Sequence, residues 1–291
     1  PFRDPNNVLA VADPPDHTRH RRLLQASLSP AAVAGFEPAI RDLTVQRLEP
    51  ILRARRGDAV TQLADVIPAA TMCHVLGLPT GDADELLPLV LAVGALLDGM
   101  SDGEGMERGG TAALDLATYA LDHLTAQRAL PAGDRAPLLE AMAVGIDDQT
   151  VTEGEAVGML MQLFSAGTET TQSLIATSIE KLAADGELQS SLRDDPSQLS
   201  DALEAVLRDD GPFQFHYRWP PNDTVLGGSA VPAGSRVLLM WAAANLPGDE
   251  EPSRPSQKTG SKEPAKATRV RKAERAKKAR RVKRAKSRTM R

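Results

Sequence analysis

Ala166-Gly167-Thr168-Glu169-Thr170-Thr171 sets a carboxylate beside several hydroxyls at a point where a helix is easily opened. Gly weakens a mid-helix ladder through backbone entropy, and Thr does so by bonding back to carbonyls. A helix loosened in this way lets a ligand come close. A hydroxyl next to a carboxylate can pass a proton to an oxygen held there. The same small residues also suit plain helix-against-helix packing. A second pair, His17 and Arg21, stands four residues apart and so projects from one helix face, where Arg offers a charged fork to a carboxylate. Read alone, that stretch is more readily a solvated basic helix start.

The elements that must position these groups are mostly helices. The chain has 291 residues, 42% hydrophobic and only 3% aromatic, with Ala and Leu throughout, which favours helices packed on helices. Asp13-Pro14-Pro15-Asp16 predicts a turn and a helix running to about Ser27. Apolar residues at helical spacing predict helices over Ala31 to Arg55, Val60 to Leu78, Asp82 to Leu97 and Thr111 to Leu130, with a Gly-rich loop from Asp98 to Gly110. Thr152-x-x-Glu155 has the form of a capping box and opens the longest helix, to about Ala184. At 1.5 Å per residue it spans roughly 50 Å, enough to cross the molecule. Asp195-Pro196 opens a further helix through Arg208, and Thr224 to Met240 alternates as a small β-hairpin with turns at Gly227-Gly228 and Pro232-Ala233-Gly234.

The hexapeptide resembles the oxygen-binding segment in the long distal helix of cytochromes P-450. That resemblance implies that Ala166 and Gly167 let haem and oxygen approach, that Glu169 belongs to a proton path, and that Thr170 steadies the oxygen on the iron. Two further segments are similar to the same family in the same order. Asp13-Pro14-Pro15-Asp16-His17-Thr18-Arg19-His20-Arg21-Arg22-Leu23 resembles its third helix, which implies that His17 and Arg21 bind a haem propionate. Arg19 and Arg22 then face elsewhere, toward an acidic redox partner. Glu204 to Arg218 resembles the penultimate core helix and following loop, which implies a propionate contact for Arg218 and a pocket border at Gln214 and Phe215. Leu163 and Phe164, within a turn of Ala166, are pocket-wall candidates, with core packing as the alternative. Gly234-Ser235-Arg236-Val237-Leu238 and Ala242-Ala243-Ala244-Asn245 continue the bacterial pattern. The implied fold is mainly α, a partial cytochrome P-450 domain over 1–245. The implied chemistry is haem-dependent hydroxylation of a small organic substrate, with electrons from a ferredoxin-type donor.

Two departures qualify that expectation. The family pairs a Glu and an Arg three residues apart in the penultimate helix, and Arg208 is present, but position 205 is Ala205. Glu204 is four residues away and could pair along the helix instead. Further on, the family carries a loop with the cysteine that ligates iron, and a thiolate there favours O–O cleavage. Here the residues after Asn245 become a Lys/Arg tract, and the one cysteine, Cys73, reads as a core residue. The chain is therefore expected to be cut short at both ends and inactive as written.

The charge is correspondingly lopsided. Pro252 to Arg291 holds seventeen Lys or Arg against Glu263 and Glu274, about +15 within a total of −5. The 246–291 tail is expected to be disordered, having too few apolar residues to offset its ordering entropy. Nucleic acid or another polyanion is a partner only through this tail, and a frame-changed, functionless extension is the plainer reading. One cysteine excludes an internal disulfide framework. No stretch is long enough to span a membrane and no secretory signal opens the chain, so the expected place is the cytoplasm. The remaining alternative is an all-α protein that binds no cofactor.

Overall fold

The computed structural model describes residues 7–97 and 102–245. The basic tail lies outside the described residues, as does the start of the expected Gly-rich loop. Eleven helices are described: α1 (Asp16–Leu24), α2 (Pro30–Ala34), α3 (Glu37–Ala54), α4 (Val66–Leu76), α5 (Ala83–Leu97), α6 (Gly103–Arg128), α7 (Pro137–Asp147), α8 (Glu153–Ala184), α9 (Gly186–Asp194), α10 (Leu199–Asp210) and α11 (Trp241–Asn245). None of them is long and apolar enough to cross a membrane.

Local chemistry sets several boundaries. Thr152 accepts from the Glu155 N–H while the Glu155 carboxylate accepts from the Thr152 N–H, so the capping box closes and α8 begins there. Asp185 ends α8 and its side chain accepts from the N–H groups of Glu187 and Leu188, which starts α9. The helix expected over Ala31 to Arg55 is two, because the chain turns at Gly35-Phe36 between α2 and α3. The Gly-rich stretch from 103 to 110 is helical. Asp102 caps α6 by accepting from Gly105, and Gly109 is buried against neighbours, so packing outweighs the cost of glycine. A π-helical turn, Val60–Ala64, leads into α4.

The core gathers around the first half of α8. Met159, Leu160 and Phe164 meet Cys73 and Leu76 of α4, Leu86 and Val90 of α5, Leu116 and Leu124 of α6, and Leu139 and Met142 of α7. Four short strands follow α10: β1 (His216–Arg218), β2 (Thr224–Leu226), β3 (Ser229–Val231) and β4 (Val237–Leu239). β2 and β3 form the expected hairpin across Gly227-Gly228. β4, however, pairs antiparallel with β1, Tyr217 opposite Leu238, and so returns to the loop behind α10 instead of extending the hairpin.

Candidate functional site

On α8, burial divides the hexapeptide by helix face. At about 100° per residue, Ala166, Thr170 and Leu163 fall on one side, and Phe164, Ser165 and Thr168 on the other. Phe164, Ser165 and Thr168 are buried, Ala166 is exposed, and Leu163 and Thr170 are half-buried. Thr170 Oγ1 donates to the Ala166 carbonyl at 2.7 Å, which commits the hydroxyl hydrogen to the backbone and leaves the lone pairs for an incoming donor. On the opposite side, the hydroxyls of Ser165 and Thr168 are buried and have no hydrogen-bond partner among the described residues. Such groups cost stability unless they serve a purpose or meet a water.

Two glycines mark close approaches. A Cβ on Gly167 would collide with the side chain of Met72 in α4, and one on Gly94 of α5 would collide with the Glu169 carboxylate. The space left by Gly167 is thus filled by α4. Gly167 allows close packing of α8 on α4. Glu169 lies over α5, one residue from Thr170.

On α1 the buried side carries an ion-pair network absent from the sequence-based expectation. Glu155, 2% exposed, accepts from Arg19 Nη2 at 2.6 Å and lies 3.4 Å from Nε2 of His20, which is 0% exposed. Arg19 also bonds Asp16 at 2.8 Å and the Thr150 carbonyl at 2.6 Å. Burial alone would push the Glu155 carboxyl up. The Arg19 guanidinium, the Thr152 N–H and His20 overcome that and hold it down at about 2. Burial pushes the His20 imidazole down, against the pull of the Glu155 carboxylate. Arg19 is therefore spent inside the protein, which corrects its assignment to a redox-partner surface; Arg22 is exposed. The signal for the network was present in Thr152-x-x-Glu155, but it read only as a cap.

His17 is half-buried and Arg21 exposed, and neither has a carboxylate partner among the described residues. Arg218 is exposed on β1, where its Nη1 donates to the Tyr217 carbonyl at 2.9 Å, and it too has no carboxylate partner there. Gln214 turns back to donate to the Gly211 carbonyl at 2.6 Å, and Phe215 is exposed, its ring edge-on to Tyr217. Phe164, 1% exposed, packs in the core. Arg208 lies at the surface. Its guanidinium is half exposed and bonds Asp209 at 2.9 Å, not Glu204, so it is neither buried nor short of a partner. The described cavity of about 770 Å³ lies elsewhere, between α3, the π-helical turn and α4, and touches none of these residues.

Cys73 packs in the core at 0% exposure, and burial, helped by the Asp82 charge, pushes its thiol up to about 12. It offers no thiolate. Neighbouring His74 lies edge-on to Phe36, and no cluster of three metal-ligating side chains occurs among the described residues.

No protein-family model matches the chain. Individual proteins do. Cytochrome P450 144 of Mycobacterium tuberculosis is 30% identical over 249 residues, covering 84% of this chain and 56% of that protein. Vitamin D(3) 25-hydroxylase of Pseudonocardia autotrophica is 32% identical over 256 residues, 86% of this chain and 61% of that one. The crystal structure of CalO2 superposes with a TM-score of 0.77 at 28% identity, over 82% of this chain and 59% of that one. CYP109E1 of Bacillus megaterium, crystallised with testosterone, gives 0.74 at 26% identity, over 84% and 64%. The chain spans between half and two thirds of the length of these relatives. With the helix order, the Thr170–Ala166 bond and these similarities together, the chain belongs to the bacterial-type cytochrome P450 family.

Proposed function

We propose that this chain provides the distal and propionate-side elements of a haem monooxygenase that hydroxylates a small organic substrate. The observation that carries the reading is the open face of α8, where Thr170 Oγ1 bonds the Ala166 carbonyl and presents its lone pairs outward. His17, Arg21 and Arg218 fit the two carboxylates of a haem. All three lack a carboxylate of their own among the described residues, and a guanidinium binds such a group by paired, charge-assisted bonds. The iron side does not fit, because Cys73 is buried and held as the thiol. When bound, haem supplies the oxidative chemistry, and the protein supplies orientation and water exclusion.

Within that frame the residues divide their work. Thr170 Oγ1 accepts a hydrogen bond from a water or a protonated oxygen on the open face. Glu169, the adjacent titratable group, replaces the proton passed on. Leu163 borders the same face, and Gln214 and Phe215 of the loop behind α10 are assigned to the substrate side by the family resemblance. A ferredoxin-type donor and a cytoplasmic setting complete the proposal, in keeping with the bacterial relatives. Without a thiolate the chain alone is expected to bind haem but not to turn over substrate.

Titration of the purified chain with haem tests this. We expect a Soret change on binding and no red-shifted thiolate band with carbon monoxide. Absence of any Soret change would favour a cofactor-free helical protein, and a thiolate band would overturn the assignment of Cys73 to the core.

A further inference from the structure

Arg19, His20 and Glu155 are a costly set to bury, since ion pairs removed from water seldom repay their desolvation. Such networks are best attested as devices that fix register. Here one carboxylate holds two elements. It accepts from the Thr152 N–H at 2.7 Å, capping α8, and from Arg19 at 2.6 Å, gripping α1. Asp16 and the Thr150 carbonyl hold the same guanidinium, so its direction is over-determined.

The consequence lies on the other side of α1. At about 100° per residue, His17 and Arg21 each stand about 160° around the helix from Arg19. The buried side of α1 runs from Arg19 through Leu23, packed against Gly145 of α7, and His20 to Leu24, which lies within about 20° of His17. Pinning Arg19 inward therefore turns Arg21 away from the core and leaves His17, half-buried, at the edge of the buried side. A roll of about 20° at the 5–6 Å radius of the side-chain shell would displace either group by about 2 Å. Displacements of that size defeat paired hydrogen bonding.

We infer that Glu155 is a positioning residue: its bonds to Arg19 and His20 fix the roll of α1, and so the direction in which His17 and Arg21 meet the carboxylates of a tetrapyrrole. The inference rests on the haem reading above. Glu155 touches no ligand itself and acts through the helix it grips.

The test compares binding of protoporphyrin IX, with both carboxylates free, and of its dimethyl ester by fluorescence quenching. Wild type is expected to prefer the diacid by about tenfold, equivalent to one good charged contact. Glu155→Gln and Arg21→Ala should each cut that preference to about two- or threefold, and the double variant should lose no more than either alone, because both act on one contact. A Glu155→Gln protein that keeps the wild-type preference, or that loses diacid and ester binding equally, would overturn the inference. So would additive losses in the double variant.

Amide hydrogen exchange separates this outcome from failure of the haem reading. Should wild type not distinguish diacid from ester, the propionate assignment fails. The pin is then read directly, as faster exchange over residues 16–24 in Glu155→Gln with α10 unchanged; unaltered protection of α1 would overturn it. Arg19→Lys, which keeps the charge but loses the fork, gives the same readouts if Glu155→Gln does not fold.

Discussion

Helix α8 buries seven residues between Glu155 and Thr168, and from Glu169 to Ala184 it fully buries none. The first half is held by apolar side chains of four neighbouring helices and by the partly buried Arg19–Glu155 pair. The second half is held by surface polar contacts, among them Gln172 to Asp65 and Lys181 to Asp210. The segment beyond α10 resembles the second half, with Phe213 57% and Trp219 58% exposed on either side of β1. Thr170 sits at the junction of the two environments. One side of its helix is immobilised by packing, and the other is open to whatever approaches, which is the arrangement a binding face on a rigid scaffold needs.

The largest effect expected from this contrast is in the buried half. Phe164→Ala should destabilise by about 3–5 kcal/mol, read as a lower midpoint in urea at unchanged slope. A loss below about 1 kcal/mol would mean that Phe164 lines an open pocket after all.

Acid should come next. The folded pKa of Glu155 lies below its ordinary 4.5, at about 2, so its stabilising contribution is complete above about pH 4.5 and is lost as pH falls toward 2. His20 is lowered from 6.5 by burial, so protonation opposes folding and adds a loss that begins below about 6.5. Both run the same way. Thermal melts from pH 7 to pH 3 should show a steady fall that is shallower in Glu155→Gln; equal slopes would remove the network from the account.

Smaller effects should follow at the ends of α8. Thr152→Ala removes the acceptor for the Glu155 N–H and should cost about 1 kcal/mol by urea titration. Lys181→Ala, which breaks a partly exposed pair with Asp210, should cost less than about 1 kcal/mol and less still in high salt. If Lys181→Ala proved costlier than Thr152→Ala, the two halves of α8 would not differ as described.

Several features were readable from residue order. The capping box over Thr152 and Glu155 is a local interaction of four residues, and so is the Thr170 bond to the Ala166 carbonyl. The β2–β3 hairpin follows from a Gly227-Gly228 turn. Other elements escaped for identifiable reasons. α7 was not anticipated, and the Gly-rich start of α6 read as a loop, because glycine propensity argued against a helix that Asp102 and packing support. The hydroxyl residues of the hexapeptide were found, but their division into open and buried faces was not.

By itself the sequence determined where α8 begins, which residues carry hydroxyls and charge, and that most of the chain is helical. Each of those rests on interactions within a turn or two of helix. Tertiary structure alone decided that Arg19 turns inward to Glu155 while Arg21, two residues on, stays exposed, and that Gly167 yields its space to Met72. Those outcomes depend on which face of one helix meets another, and that is fixed by partners far away in the chain, as Glu155 is from Arg19.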